Sequence, residues 1–365
     1  MGSGRKTARR PLLREGGTVG AGYLVERYLG QGAYAEVYRV RHPYLGRQAM
    51  KVFRQVADRA AVDALLAEAV LLTRLGHPHI VRVFDAGSTP TATGERAFFT
   101  MEYVAGGTLA RFMAGCLERS GQVPVAAAVR ILHQVSSGLA VAHAGQPPIV
   151  HRDITPHNIL VGLDGAGGQP LRARLSDFGL ATRTDPGTGP ASAQGVPAFK
   201  PPETLLGLRG DSRSGDVWAL GVIGYLLLTS RLPYPKGLAG WMTGSHRRAP
   251  PPPPGALNPD VDPELEQIVL DALAVDREAR IPDAGALAER FARREQRRAA
   301  DSPVAPVPVA EARAGQLAAR GMELAAQAGT LPQAVGLMAE AVAASAELRE
   351  LYGERLRRWR TGVVA

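Results

Sequence analysis

Three polar side chains in the middle of the sequence have the types and the spacing that phosphoryl transfer requires. Asp153 ends a His-Arg-Asp tripeptide, Asn158 follows shortly after it, and Asp177 opens an Asp-Phe-Gly tripeptide. A carboxylate can orient a hydroxyl nucleophile and accept its proton, while carboxylate and amide oxygens are the ligands that Mg²⁺ prefers. We therefore interpret Asp153 as the candidate catalytic base, and Asn158 and Asp177 as candidate metal ligands.

A glycine-rich turn and a lysine upstream of these residues could hold phosphate groups. Gly30 and Gly32 lie between two strand-like segments, where small residues allow backbone amides to approach phosphate oxygens closely. Lys51 lies in the next strand-like segment, and its ammonium could bridge phosphate oxygens and the carboxylate of Glu68. The alternative, a surface ion pair without function, fits the downstream motifs poorly. Lysine is otherwise rare, because the chain uses arginine for nearly all its positive charge.

Around these residues the sequence changes from a strand-like to a helical pattern. Three segments between Tyr23 and Phe53 are rich in β-branched and aromatic residues, which predicts an antiparallel meander. Apolar residues three and four apart predict an amphipathic helix over 58–75; two short strands follow, and helical patterns dominate beyond Gly107. The sequence therefore predicts an α+β fold in which a small β-rich part precedes a larger helical part.

Taken together, these motifs resemble those of bacterial, eukaryotic-like Ser/Thr protein kinases. The resemblance covers residues 22–293 and follows the family's order of glycine loop, strand lysine, helix glutamate, His-Arg-Asp, Asp-Phe-Gly, Pro-Pro-Glu and late arginine. It implies the bilobal protein-kinase fold, with an N-lobe over 22–104 and a C-lobe over 105–293. It also implies a non-specific serine/threonine protein kinase that transfers the γ-phosphate of ATP to protein hydroxyls, with Mg²⁺ or Mn²⁺ as the metal.

The resemblance also implies roles for residues outside these motifs. It implies an adenine site formed by a gatekeeper, a hinge and an apolar sandwich, namely Met101, Glu102, Tyr103, Val104, Val37, Ala49 and Leu160. Glu203 is expected to pair with Arg280, and Asp216 is expected to brace the catalytic loop from a buried helix. His151 and Phe178 are interpreted as packing residues.

Two positions depart from the family pattern, and both concern the acceptor side of the site. Thr155 stands where the family has a lysine that contacts the γ-phosphate, and Val196 stands where a threonine is usual. The two family side chains contact each other, so we interpret the pair as one correlated change that could lower activity or alter acceptor choice. The alternative function is a nucleotide-binding pseudokinase or weakly active scaffold. A small-molecule phosphotransferase fits less well, because such enzymes generally lack the long activation segment.

Arg152 is typical of kinases whose activation segment is organised by phosphorylation, because the arginine can contact the phosphate. The segment 180–194 holds the candidate autophosphorylation sites, with Thr188 as the first choice and Thr182, Thr184 and Ser192 as the others. The alternative is a segment that stays unmodified.

The two ends of the chain predict segments outside the kinase region. Residues 1–21 are basic, polar and rich in glycine, which predicts a disordered tail. Charges and prolines over 294–310 predict a linker, and the pattern over 311–361 predicts three helices faintly similar to a tetratricopeptide repeat. Such a module could recruit a protein substrate or partner, or it could be a passive helical cap.

Composition indicates the expected cellular location of the protein and the classes of partner it can bind. The chain of 365 residues is 45% hydrophobic, and its one cysteine, Cys116, permits no disulfide within the chain, so a cytoplasmic location is expected. No run of about 18 consecutive apolar residues predicts a membrane span. The net charge of +9 comes without an aromatic stripe or a nucleic-acid motif, so nucleic acid is not an expected partner.

Overall fold

The computed structural model of the chain describes residues 11–20, 22–32, 35–54, 73, 75–163, 171–178, 197–207, 212–235, 250–301, 309–325, 330–344 and 346–361. The chain divides into two compact units. One consists of Met1–Val161 and Ala173–Ala292, the other of Gly162–Arg172 and Arg293–Ala365. The first unit holds every candidate residue for ATP and metal binding.

A six-stranded antiparallel sheet forms the first part of this unit, and three of its consecutive strands correspond to the predicted meander. Its strands are β1 (Thr18–Val19), β2 (Tyr23–Gln31), β3 (Ala35–His42), β4 (Gly46–Phe53), β5 (Val83–Thr91) and β6 (Gly94–Glu102). Their order in the sheet is β1-β2-β3-β4-β6-β5. The register places Val37 opposite Lys51 and Ala49 opposite Met101. Four candidate site residues therefore occupy neighbouring positions on three adjacent strands.

Residues 11–19 pack against this sheet, which differs from the disordered tail predicted for the N-terminus. Leu13 is buried in the apolar core of the sheet, and its N–H donates to the Tyr38 hydroxyl oxygen at 3.1 Å. The N–H of Leu12 donates to Glu36 Oε2 at 2.9 Å. Burial and the hydrogen bond to Glu36 raise the pKa of Tyr38 above its usual range, so its hydroxyl stays protonated. The tail prediction failed here because the partners of these residues lie far away in the sequence.

Helices dominate the rest of the first unit. Those in the described residues are α1 (Leu109–Ser120), α2 (Val125–His143), α3 (Pro202–Leu205), α4 (Arg213–Thr229), α5 (Pro254–Leu257), α6 (Pro263–Ala272) and α7 (Ala284–Asp301), of which the residues after Ala292 belong to the second unit. The short strands β7 (Gly106–Thr108), β8 (Ile159–Leu163) and β9 (Leu171–Leu175) form a second sheet. The predicted α+β class is therefore confirmed.

Local sequence signals explain how α4 begins and how it packs. The Ser212 side chain accepts the N–H of Gly215 at 3.2 Å and caps the helix. Gly221 allows a close contact with α6, because a Cβ at this position would lie 3.0 Å from the Cβ of Ala272. Thirteen of the 17 residues of α4 are buried, so it is a central core helix, and it carries Asp216 in its first turn.

Within the described part of the chain, α2 is the one helix whose length and apolar composition would suffice to cross a membrane. Half of its most apolar window is buried inside the protein. The buried side chains of α2 include Ile131, Leu132, Val135 and Leu139, and the helix packs against α4. This burial is typical of a core helix.

The second unit contains three consecutive helices, α8 (Val309–Ala325), α9 (Leu331–Ala344) and α10 (Ala346–Arg360). Met322, Met338, Tyr352 and Trp359 are buried in their shared apolar core. Three helices are present as the sequence predicts, whereas their likeness to a tetratricopeptide repeat stays a prediction. The linker predicted over 294–310 does not hold for its first residues, because α7 extends to Asp301. Arginine, glutamate, glutamine and alanine favour continuation of that helix.

Candidate active site

The catalytic loop is held in place by the buried carboxylate of Asp216. Its Oδ2 accepts the N–H of His151 at 2.7 Å, and its Oδ1 accepts the N–H of Arg152 at 2.8 Å. The Nε2 atom of His143 lies 3.0 Å from the same Oδ2. Arg152 has a φ of 68°, in the left-handed region that residues other than glycine seldom adopt. Asp216 thus fixes an unfavourable backbone conformation immediately before Asp153.

His151 joins this loop to the residues after β9 and is fully buried. Its Nε2 lies 2.9 Å from the carbonyl oxygen of Ser176, and its Nδ1 accepts the N–H of Asp153 at 3.3 Å. Because a carbonyl oxygen can only accept, the ring proton belongs on Nε2. The ring of Phe178 packs against the imidazole, with 4.6 Å between centroids. Both ring nitrogens are therefore engaged with backbone groups, which leaves His151 a packing role.

Asn158 lies directly beside Asp153. Its Nδ2 donates to the backbone carbonyl of Asp153 at 2.7 Å and to the carboxylate Oδ2 at 3.1 Å. With the amide nitrogen turned toward Asp153, the amide oxygen is the atom of Asn158 that can bind a cation. The N–H of Ser176 donates to the carbonyl of Asn158 at 2.8 Å. This bond ties the start of β8 to the residue before Asp177 and brings both candidate ligands to one site.

Lys51 and Asp177 form an ion pair, with 2.8 Å between Nζ and Oδ1. The lysine comes from β4, and the aspartate follows β9. The lysine Nζ also lies 5.8 Å from the ring centroid of Phe99 on β6. Glu68, the predicted partner of Lys51, lies outside the described residues. The candidate phosphate-binding lysine and a candidate metal ligand are thus in direct contact.

The donor atoms at this site suit a hard divalent cation. Asp177 offers a carboxylate and Asn158 an amide oxygen, and oxygen is the ligand type that Mg²⁺ and Mn²⁺ prefer. Among the described residues, no group of three or more His, Cys, Asp or Glu side chains could hold a metal ion. Phosphate oxygens and water would complete the ligand set, which is the usual arrangement for Mg²⁺ at a nucleotide.

The residues predicted to surround adenine lie on the central strands and at the start of β8. Ala49 and Met101 face each other in register and are buried, and Val37 belongs to the next strand. Leu160 lies in β8, just after Asn158. A small cavity of about 10 Å³ is lined by Met101 together with Ile80, Val81, Val83, Phe99, Asp177 and Phe178. The predicted gatekeeper and the Asp-Phe-Gly segment therefore border the same space.

The hinge begins with Glu102, whose polar groups have partners within the protein. Its N–H donates to the carbonyl of Arg82 at 2.8 Å, and its Oε1 lies 3.4 Å from the guanidinium of Arg174. The resemblance implies that the backbone of Glu102 and Val104 hydrogen-bonds the adenine base, and this stays a prediction.

The glycine turn connects β2 and β3. The N–H of Gly32 donates to the carbonyl of Ala35 at 2.8 Å. Gly30 lies one residue before the end of β2, opposite Val37, and Val37 in turn lies opposite Lys51. The turn and the lysine therefore belong to one stretch of sheet, as a shared role in phosphate binding requires.

Glu203 and Arg280 form the expected pair. The two guanidinium nitrogens donate to the two carboxylate oxygens at 2.8 Å and 3.1 Å, which is a bidentate geometry. The guanidinium is fully buried and lies 4.9 Å from the ring centroid of Trp218. This pair anchors the segment that contains the Pro-Pro-Glu motif.

Sequence reasoning missed a contact of Lys200. Its Nζ donates to the backbone carbonyl of Arg152 at 2.7 Å. The rarity of lysine in this chain was the signal that could have drawn attention to it. Thr155 is buried, and its carbonyl accepts the N–H of Asn158 at 3.0 Å. Val196 and the candidate phosphorylation sites, Thr182, Thr184, Thr188 and Ser192, lie outside the described residues.

Comparison with known proteins agrees with this fold and site. Residues 23–291 match the family model of the protein kinase domain, so the chain belongs to the protein kinase family. The chain is 34% identical over 299 residues to the serine/threonine-protein kinase pkn3 of Myxococcus xanthus, which covers 79% of this chain and 52% of the relative. It is 30% identical over 285 residues to PknA of Mycobacterium tuberculosis, and this match covers 76% of this chain and 62% of PknA.

A solved structure supports the same assignment. The crystal structure of the Mycobacterium tuberculosis PknI kinase domain is similar, with a TM-score of 0.56 and 29% identity over 77% of this chain and 99% of that chain. The resemblance to bacterial, eukaryotic-like Ser/Thr kinases is confirmed. The chain spans about half of the length of pkn3, the first of the curated relatives named above.

Proposed function

We propose that this protein is an ATP-dependent kinase that transfers the γ-phosphate of Mg-ATP to Ser or Thr hydroxyls of proteins. The observation that carries the proposal is the convergence of four side chains. Lys51 contacts Asp177, and Asn158 contacts Asp153, while Ser176 joins the two pairs. Curated relatives with the names of serine/threonine-protein kinases support the same reaction class.

Each of these side chains has a task in phosphoryl transfer. Asp153 would orient the acceptor hydroxyl and accept its proton, and Asn158 holds that carboxylate through its amide N–H. Lys51 would bind the α- and β-phosphates. The chemistry that a divalent cation supplies at Asn158 and Asp177 is neutralisation of phosphate charge. The protein's own contribution is to position these groups in advance.

Two regulatory features complete the proposal. Autophosphorylation in the segment 180–194, with Thr188 as the preferred site, would place a phosphate near Arg152. The helices of 311–361 would recruit a protein substrate or partner.

The test is phosphate transfer from Mg-ATP to a generic protein acceptor, followed by intact-mass measurement of both proteins. Wild type is expected to transfer phosphate, whereas Asp153→Asn and Lys51→Met are expected to lose at least about a hundredfold in rate. Asp260→Asn, a change of an exposed aspartate outside the site, is the matched control and should retain the wild-type rate. Mass measurement also reports whether residues 180–194 gain phosphate.

The result that would overturn this proposal is a wild-type protein that binds ATP yet transfers no phosphate with either Mg²⁺ or Mn²⁺. Thr155 is the observation that favours this second candidate, a nucleotide-binding scaffold, because it removes a cation from the acceptor side.

A further inference from the structure

The backbone of Arg152 forms hydrogen bonds with two side chains from distant parts of the domain. Its N–H donates to Asp216 Oδ1 at 2.8 Å, and its carbonyl accepts the ammonium of Lys200 at 2.7 Å. The φ of 68° at Arg152 is unfavourable for a residue with a side chain, so it persists only where surrounding contacts enforce it. The carbonyl that Lys200 binds belongs to the peptide group that leads into Asp153.

Lys200 reaches this peptide from a firmly anchored segment. Its own N–H donates to the carbonyl of Pro197 at 3.2 Å, which closes a short turn. Three residues later, Glu203 makes the bidentate contact with the buried Arg280. The position of the lysine backbone is therefore set by the same anchor that holds the Pro-Pro-Glu motif.

The positive charge of Lys200 is relevant to the catalytic loop because the loop has no charged side chain at position 155. Thr155 is a neutral, buried side chain within the catalytic loop. Lys200 brings an ammonium to the same loop from outside it, within one peptide group of Asp153. The chain otherwise uses arginine for nearly all its positive charge, and its lysines are Lys6, Lys51, Lys200 and Lys236.

We propose that Lys200 is a positioning residue for Asp153, and that it supplies by a different route the positive charge that Thr155 cannot supply. This inference rests on the proposed kinase function. Lys200 acts through the Arg152 carbonyl. Its hydrogen bond stabilises the left-handed backbone conformation at Arg152 and thereby fixes the orientation of the Asp153 side chain. It also links the anchored Pro-Pro-Glu segment to the catalytic loop, so the two move together.

The experiment compares Lys200→Met, Lys200→Arg and the control Arg130→Met, which removes an exposed cation from α2. Steady-state rates are measured with Mg-ATP and a generic protein acceptor, and the melting temperature of each variant is recorded. Lys200→Met should lower kcat about tenfold while KM for ATP changes less than about twofold. Lys200→Arg keeps a cationic donor and should recover most of kcat, and Arg130→Met should match wild type.

A second measurement keeps the inference testable if wild type transfers no phosphate. Hydrogen exchange of the peptide that covers residues 150–154 should become faster in Lys200→Met, and it should stay near wild type in Lys200→Arg. Unchanged kcat and unchanged exchange in Lys200→Met would overturn the role of Lys200. Absent transfer by wild type, with exchange in Lys200→Met faster as expected, would instead refute the kinase function and leave the contact itself established.

Discussion

The ammonium of Lys51 and the carboxylate of Asp177 are 2.8 Å apart, although one belongs to the sheet and the other follows β9. Two groups with different expected ligands, phosphate and metal, therefore neutralise each other directly. The pair fixes the distance between the phosphate-binding and the metal-binding halves of the site.

This contact predicts opposite effects of Asp177→Asn with and without metal. With Mg²⁺, the variant should bind ATP more weakly and lose at least about a hundredfold in kcat, because a metal ligand is missing. Without metal, it should bind ATP more tightly than wild type, because the ammonium of Lys51 is no longer paired with a carboxylate. Calorimetric titration with ATP under both conditions measures this; an affinity that depends on Mg²⁺ as in wild type would contradict it.

The pair of Glu203 and Arg280 should be important for stability. Because the guanidinium is fully buried, Glu203→Gln or Arg280→Met should each lower the free energy of unfolding by about 3 kcal/mol. The double variant should lose less free energy of unfolding than the sum of the two single losses. Urea denaturation of wild type, the two single variants and the double variant would measure this. Arg290→Met, which breaks a more exposed pair with Asp271, is the control and should cost less than about 1 kcal/mol. Additive losses would argue against a direct pair.

The N-terminal segment should contribute to the stability of the sheet. Leu13 is buried, so Leu13→Ala should lower the free energy of unfolding by about 2 kcal/mol. Leu45→Ala, at an exposed position between β3 and β4, is the matched control and should change stability little. Equal stability of both variants would show that residues 11–19 do not hold the sheet.

His77 predicts a stability that falls in mild acid. Burial lowers the pKa of His77, whose Nδ1 accepts the N–H of His79 at 3.2 Å. The folded state then binds fewer protons than the unfolded state, in which a histidine has a pKa of about 6.5. The free energy of unfolding should therefore decrease as the pH falls below about 6.5 and through the lower folded pKa. Urea denaturation across this range should show a smaller decrease for His77→Asn, and an identical slope would rule out His77 as the source.

A lysine restored at position 155 should compensate for the loss of Lys200. In the Lys200→Met background, Thr155→Lys should raise kcat about threefold, because it returns a cation to the catalytic loop. The same change in wild type should raise kcat less, since Lys200 already supplies a charge there. Rates of phosphate transfer by wild type, the two single variants and the double variant give the coupling free energy between positions 155 and 200. Equal effects of Thr155→Lys on kcat in both backgrounds would contradict a shared role of the two positions.

The sequence predicted those features that depend on local pattern and on ordered motifs. Strand-like segments followed by helical spacing indicated the α+β fold, and the motif order indicated Asp153, Asn158 and Asp177 as one site. Contacts between distant residues were beyond such patterns. The ion pair of Lys51 with Asp177 and the bond from Lys200 to Arg152 depend on how far apart separate elements come to lie after folding.

The errors at the two ends have simple physical causes. Leu12 and Leu13 are too few to indicate burial in a segment rich in arginine and glycine, so the sequence predicts a disordered tail that includes residues 11–19. At the other end, the charges and prolines over 294–310 predict a linker, but the residues up to Asp301 are good helix formers and continue α7.

The docking of residues 11–19 on the sheet also sets a practical limit on how the domain can be shortened. The family match begins at residue 23, so a recombinant protein trimmed to that border would lose Leu13 and Val19. The apolar surface around Tyr38 and Val25 would then face solvent, and such patches promote aggregation. Protein for crystallisation or inhibitor screening should therefore begin before residue 11.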